Sequence, residues 1–208
     1  MMTDMNMNEF LDVLSSKEPV PGGGGACGYV AAVGMALGNM VLALTTGKKK
    51  YAEHQEEIEK LIVRANELTK ELAECMDKDA KAFKPLSEAY GLPKDTDEQL
   101  KHREEVMEKA LIAASEAPLS MMEVIVEAIG LIDRISVIGS RIAISDAGVG
   151  VQMCKAALNG ASLNVYINTR LMKDTDAADD LNTRADELIV RGNQIADEVY
   201  DRVMDCVR

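Results

Sequence analysis

The chain has 208 residues, 47% of them hydrophobic, and a formal net charge of −12 with a pI of about 4.7. An acidic surface argues against nucleic acid as a partner, because that binding rests on phosphate neutralisation by Lys and Arg. With no Trp and 3% aromatic residues, the core has to be aliphatic. The abundant Ala, Leu, Met, Glu and Lys are good helix formers, so composition points to an all-α protein.

In chain order, Asn8 to Ser16 places Phe10, Leu11 and Leu14 at helical spacing and predicts a short amphipathic helix. Lys17 to Gly25 reads as a loop, stiffened by Pro19 and Pro21 and loosened by four consecutive glycines, Gly22 to Gly25. Ala26 to Thr46 is apolar all round, which predicts a helix buried on all sides. It is nearly long enough to span a bilayer, yet Gly28, Gly34, Gly38 and Asn39 and the lack of an aromatic belt favour a core helix and no membrane. Gly34 and Gly38 form a G-x-x-x-G pair that lets another backbone come close, and a subunit interface is the expected place for it. Thr46-Gly47 and the triplet Lys48, Lys49 and Lys50 follow.

Ala52 to Tyr90 predicts a long helix with the stripe Ile58, Leu61, Ala65, Leu68, Leu72, Cys75, Asp79, Phe83 and Leu86, in steps of three and four. Pro85 is expected to kink or end it. Thr96 to Glu116 reads as a second long helix. Pro118 starts or kinks a further helix through Ile129, and Ile132 to Ile144 follows with a break near Gly139. Ser145-Asp146 looks like an N-cap for a helix from Ala147 to Asn159, with Gly160 as its C-cap. A short helix over Ala161 to Met172 carries Asn164 and Asn168 one turn apart, and Thr175 to Val207 is a final amphipathic helix. The expected architecture is one all-α domain over residues 1–208, a bundle of long antiparallel helices around a buried apolar helix, forming a dimer.

Four widely spaced cysteines, Cys27, Cys75, Cys154 and Cys206, contain no C-x-x-C pair, so buried free thiols in a reducing cytoplasm are expected. The N-terminus lacks a basic stretch followed by an apolar one, so it does not read as a secretory signal. Neither a zinc pattern nor an activated serine or cysteine triad is apparent, and no metal is expected.

Three features stand out chemically. Asp79 occupies a stripe position that should face the core, where an unpaired carboxylate is costly and its pKa open to tuning. The run Gly22, Gly23, Gly24 and Gly25 before a helix can present backbone N–H groups to a ligand, although it matches neither a P-loop nor a dinucleotide fingerprint. Lys48, Lys49 and Lys50 concentrate positive charge in an acidic protein and suit an anionic substrate group. Each also has an ordinary explanation: a core carboxylate satisfied by a neighbour, a flexible connection, and a solvated helix end.

Taken together, the residues resemble the cyclodeaminase/cyclohydrolase family of one-carbon folate metabolism. The matching pieces are Pro21-Gly22-Gly23-Gly24, Thr46-Gly47-Lys48-Lys49-Lys50-Tyr51, and Asp79-Ala80-Lys81-Ala82-Phe83 with Pro85. Downstream come Pro118, Ser145-Asp146-Ala147-Gly148-Val149 and Gly160 through Asn168. The chain departs from the family pattern at Gly25, where a serine is usual, at Cys27-Gly28 and at Ala147.

The resemblance implies an all-α homodimer that acts on a tetrahydrofolate derivative without a metal. The first reading is a formiminotetrahydrofolate cyclodeaminase, forming 5,10-methenyltetrahydrofolate and ammonia. The alternative is a methenyltetrahydrofolate cyclohydrolase, and a reading of another class is a non-catalytic folate-binding or adaptor dimer. In the enzyme readings Asp79 is the general acid/base and Lys49 an anchoring or polarising cation. Asp146 is a second candidate carboxylate, Lys48 and Lys50 suit the glutamate tail, Gly22 to Gly25 lie against the pterin or the reacting group, and Asn164 and Asn168 can reach the pterin edge.

Overall fold

The computed structural model describes residues Met1–Arg208. It contains six α-helices and no strand: α1 (Met7–Leu14), α2 (Gly23–Ala43), α3 (Gln55–Tyr90), α4 (Asp97–Ile138), α5 (Ile144–Thr169) and α6 (Thr175–Val207). Short 3-10 turns cover Met2–Asp4, Lys49–His54 and Arg141–Ala143.

The helices are longer than their punctuation predicts. Pro85 and Pro118 both lie inside helices, α3 of 36 residues and α4 of 42 residues. Proline removes one N–H and leaves the carbonyl four residues earlier without its helical partner. For Pro85 that carbonyl belongs to Lys81, and both residues are exposed, so water can serve it. For Pro118 it belongs to buried Ala114, and the side-chain amide of Asn168 donates to it at 2.8 Å. The expected break at Pro118 is absent because α5 supplies the hydrogen bond that α4 cannot make. Replacing Asn168 by Ala is therefore expected to leave a buried acceptor unpaired and to cost about 1–3 kcal/mol, read from the denaturant midpoint.

The two helices expected on either side of Gly160 are one. Gly160 is not a C-cap; it lies inside α5 because a Cβ there would sit 2.8 Å from the Cys27 sulfur. Gly150 meets Gly34 still more closely, a Cβ on either being 2.6 Å from the other's carbonyl oxygen. The close backbone approach expected of α2 is thus made to α5 within the same chain, and α2 and α5 run antiparallel. Asp146 is likewise not an N-cap: α5 opens on Ala143 without a side-chain cap, and Asp146 sits in its first turn, where a carboxylate suits the helix dipole.

α2 starts at Gly23, three residues earlier than expected. It is long and apolar enough to cross a membrane, and one side of it, including Ala31, Met35, Val41 and Leu42, is buried in the core. It is not buried on all sides. Met40 and Leu44 are exposed, and on α5 so are Val149, Leu163 and Ile167, with Ile142 just before it. Together they leave an apolar stripe along the α2–α5 pair. α3 and α4 form an antiparallel hairpin tied at its edge by Arg64–Glu127 (2.6 Å) and Arg134–Glu57 (2.5 Å). α1 closes a small satellite core in which Phe10 meets Tyr29, with Met2 and Met76 beside them. All four cysteines are free, and Cys206, against expectation, is exposed.

Candidate active site

The stripe of α3 turns the Asp79 side chain inward at the level where α2 begins. Gly24 is there: a Cβ on it would collide with the Asp79 carboxylate. The glycine run thus removes side chains so that the carboxylate can lie against the start of a helix. Gly22 caps α2 with no side-chain bond, and the first N–H groups of the helix lack intrahelical acceptors. They form a positive helix end beside a carboxylate.

Asp79 makes no hydrogen bond or ion pair within the chain. Burial raises its pKa from 3.8 to about 6. The dipole of α2 pulls the other way, since its positive end favours the anion. A carboxyl that changes protonation state near neutral pH, with no internal partner, is equipped to give and take a proton.

The cavity over Asp79 has a volume of about 170 Å³ and is lined by Pro19, Val20, Gly22, Gly23, Gly24, Phe83, Ala114, Asn164, Ile167 and Asn168 as well as Asp79. Phe83, one turn beyond Asp79, offers a flat apolar wall. Asn164 donates to the Gly160 carbonyl at 3.1 Å, and its Oδ1 faces Gly23. One donor of Asn168 is engaged by Ala114. Asp79, Gly22, Gly23, Gly24, Asn164 and Asn168 therefore meet in one place. Gly25 is buried against Pro21 and does not line the cavity.

Lys48, Lys49, Lys50 and Asp146 do not meet them within the chain. α2 carries the lysines about 30 Å away, at the opposite end of the bundle. Lys48 Nζ donates to Ser140 Oγ at 3.2 Å, and the Arg141 N–H donates to the Tyr51 hydroxyl at 3.1 Å. That bond first, then the Ser140 hydroxyl and the charges of Lys50 and Lys48, hold the Tyr51 phenol below its ordinary pKa. Asp146, in the first turn of the antiparallel α5, belongs to this end too. Phe83 and Ala114 line the cavity and were left unassigned by sequence reasoning. Phe83 stood within a matched motif, whereas nothing in the sequence signals Ala114. No three His, Cys, Asp or Glu side chains are grouped so as to hold a metal ion.

A family model described as formiminotransferase-cyclodeaminase matches residues 6–187. The chain belongs to the formiminotransferase-cyclodeaminase family. Among its relatives, the methenyltetrahydrofolate cyclohydrolase of Methylorubrum extorquens is 37% identical over 194 residues, 93% of each chain. The mouse formimidoyltransferase-cyclodeaminase is 28% identical over 173 residues, 83% of this chain but 32% of its own length. The chain thus spans about a third of that larger relative. The crystal structure of formiminotetrahydrofolate cyclodeaminase from Thermotoga maritima superposes over all of both chains with a TM-score of 0.89 at 23% identity, which establishes the fold. In this family member, then, the residues that carried the resemblance divide between two ends of one bundle, with the buried carboxylate at one and the lysines at the other.

Proposed function

We propose that this protein is a methenyltetrahydrofolate cyclohydrolase, with Asp79 as its acid/base. The reading is carried by the unpartnered, half-buried carboxylate of Asp79 against the start of α2. The full-length resemblance to the Methylorubrum enzyme favours hydrolysis over deamination.

The methenyl bridge between N5 and N10 is a cationic amidinium. A carboxylate beneath it stabilises the bound cation and takes a proton from the water that adds to the bridging carbon. The tetrahedral carbon then breaks its bond to N5. Asp79 returns the proton to N5, the carbon stays on N10 as a formyl group, and one proton is released overall. The N–H groups at the start of α2 can donate to the oxygen that arrives with the water. Phe83 and the bare glycine backbone suit a flat pterin, and the Asn164 Oδ1 can take one of its N–H groups.

The working unit is a homodimer. The exposed stripe of Met40, Leu44, Ile142, Val149, Leu163 and Ile167 is a long apolar surface of the kind that oligomers cover. A groove of about 500 Å³ next to it, lined by Val149, Met153, Tyr200 and Met204 among others, extends it towards α6. A two-fold axis across the stripe would exchange the ends of the bundle. Each Asp79 cavity would then receive the Lys48–Lys50 end of the other subunit, together with its Tyr51 and Asp146. Lys49, exposed and unpaired, is the first choice for a cation that polarises the oxygen or nitrogen at the reacting centre.

Cyclodeaminase activity is the second reading, favoured by the animal relatives. It uses the same tetrahedral carbon, with ammonia leaving in place of N5. Supplying 5,10-methenyltetrahydrofolate or 5-formiminotetrahydrofolate and following the methenyl chromophore separates the two: enzymatic decay of the first supports hydrolysis, and appearance from the second supports deamination. Binding of either without turnover would favour a non-catalytic folate protein.

A further inference from the structure

We infer that Asn168 reads the substrate: its amide nitrogen is pinned to α4, so its oxygen faces the Asp79 cavity as a fixed acceptor for an N–H of the reduced pterin ring. The inference rests on the folate reading and adds a specificity residue, with Pro118 as the residue that positions it.

The pinning begins with a missing hydrogen. Pro118 lies inside α4 and has no N–H for the Ala114 carbonyl. The Asn168 Nδ2 donates to that carbonyl at 2.8 Å. A carbonyl only accepts, so the two ends of the Asn168 amide are not interchangeable. Turning the amide over would set two oxygens against each other and leave the buried Ala114 carbonyl unpaired.

Asn168 is 8% exposed, and the Oδ1 at the other end of its amide accepts no hydrogen bond from the chain. That atom is not sealed in: the side-chain atoms buried without a partner are Asn39 Oδ1 and Arg103 Nε, and Asn168 lines the cavity over Asp79. Water can serve the oxygen before a ligand binds. A ligand that displaces the water has to bring a donor in its place. Asn164, one turn earlier on the same face of α5, repeats the arrangement. Its Nδ2 is turned to the Gly160 carbonyl at 3.1 Å, which leaves its Oδ1 against Gly23. The Asp79 carboxylate lies against the next glycine, Gly24. Asp79, Asn164 and Asn168 thus all turn oxygens towards one small cavity.

That wall selects the chemistry of the ligand. A carboxylate or phosphate would meet negative charge and lone pairs on it. A cationic ring system with N–H groups along its edge meets the same oxygens favourably. The methenyl form of tetrahydrofolate is such a molecule: its bridge is an amidinium, and its ring carries N–H groups at N3, at N8 and on the 2-amino group. Asn168 takes one of these while Asp79 faces the bridge.

Asn168 has two tasks, and Pro118 separates them. Pro118→Ala restores a backbone N–H for the Ala114 carbonyl. Asn168→Ala is measured against the wild type, and Pro118→Ala/Asn168→Ala against Pro118→Ala. KM and kcat for 5,10-methenyltetrahydrofolate and the denaturant midpoint are read for all four. The fall in midpoint caused by Asn168→Ala is expected to shrink by about half or more in the Pro118→Ala background, because the carbonyl no longer depends on the amide. The rise in KM should persist in both backgrounds at about three- to tenfold, the worth of one hydrogen bond between neutral groups. The kcat should hold within about twofold, as expected when uniform binding is lost. An amide released from α4 can still turn its oxygen to the substrate, so the second background keeps the effect. An unchanged KM, or a KM effect that shrinks together with the stability effect, would overturn the assignment and leave Asn168 as a brace for α4. Should Asn168→Ala alone not fold, the two chains carrying Pro118→Ala decide the matter. A wild type that turns over neither 5,10-methenyltetrahydrofolate nor 5-formiminotetrahydrofolate removes the folate reading and this inference with it, whereas turnover with an unchanged KM in Asn168→Ala removes this inference alone.

Discussion

Replacing Asp79 with Asn is expected to lower kcat/KM by a factor of about 10²–10⁴, the usual worth of a positioned acid/base, and at the same time to make the folded protein more stable at pH 8. The two effects come from one cause. Burial lifts the carboxyl from its ordinary 3.8 to about 6, so the folded state holds its proton more tightly than the unfolded chain does. Below pH 4 both states are protonated and the residue has no effect on stability. Between about pH 4 and 6 the unfolded chain ionises first, and wild-type stability falls. Above pH 6 both are ionised and the penalty is complete. The full shift corresponds to at most about 3 kcal/mol. The carboxyl is partly open to the cavity, so a gain of about 1–2 kcal/mol is expected for Asp79→Asn at pH 8, vanishing towards pH 4. Asn is isosteric, and Asp79 makes no internal hydrogen bond that the change could break. Chemical denaturation at several pH values measures the gain. The wild-type kcat/KM profile should show an acidic limb near pH 6, since hydrolysis needs the carboxylate. A variant that is less stable at pH 8, or that retains activity, would refute the role.

That combination explains how Asp79 was legible from the sequence. A carboxylate in a row of Ile, Leu, Ala and Cys at steps of three and four has no reason to be there on stability grounds. Its partner glycines were legible for a related reason, since four in a row before an apolar helix remove side chains that packing would want. The role of each glycine was not. Which of them would meet Asp79 depends on the rotation of α3 against α2, and only the fold reveals that Gly24 does so while Gly25 packs on Pro21.

Helix ends were the least legible feature, because the usual stop signals were answered from elsewhere in the fold. Pro118 leaves the Ala114 carbonyl free, and Asn168, fifty residues later, takes it. Gly160 looks like a helix end and is, with Gly150, a point where α2 presses on α5. The lysines illustrate the opposite error. They follow the glycines closely in sequence, but the intervening residues form a rod, and α2 turns nearness along the chain into a separation of about 30 Å.

The separation of the lysines from Asp79 leads to the second large effect. If the cavity is completed by the Lys49 end of a second subunit, Asp79→Asn and Lys49→Ala should each be nearly inactive alone, and unfolding together and refolding should restore activity. In a mixed dimer one site collects both substitutions. The other collects Asp79 from the Lys49→Ala chain and Lys49 from the Asp79→Asn chain, and is wild type. Random pairing makes half of the dimers mixed, each with one working site of two, so the mixture should reach about a quarter of wild-type activity. Sites built within a single chain would give no recovery, because neither chain holds both residues. Charging the exposed stripe tests the same arrangement through assembly. Leu163, 66% exposed, and Ile167, 58% exposed, lie outside the core, so Leu163→Glu with Ile167→Glu should leave the helices folded. In the dimer those carboxylates would be desolvated without partners, at several kcal/mol, and the variant should sediment as a monomer. Ile167 also borders the cavity, so activity alone cannot report on assembly in that variant, and Val149→Glu, far along α5 from the cavity, is the companion. Loss of activity together with loss of the dimer in Val149→Glu is the expected result. A Val149→Glu monomer with wild-type turnover would show that each chain carries a complete site, and the lysines would then have to be assigned to the solvated end of α2 where they lie.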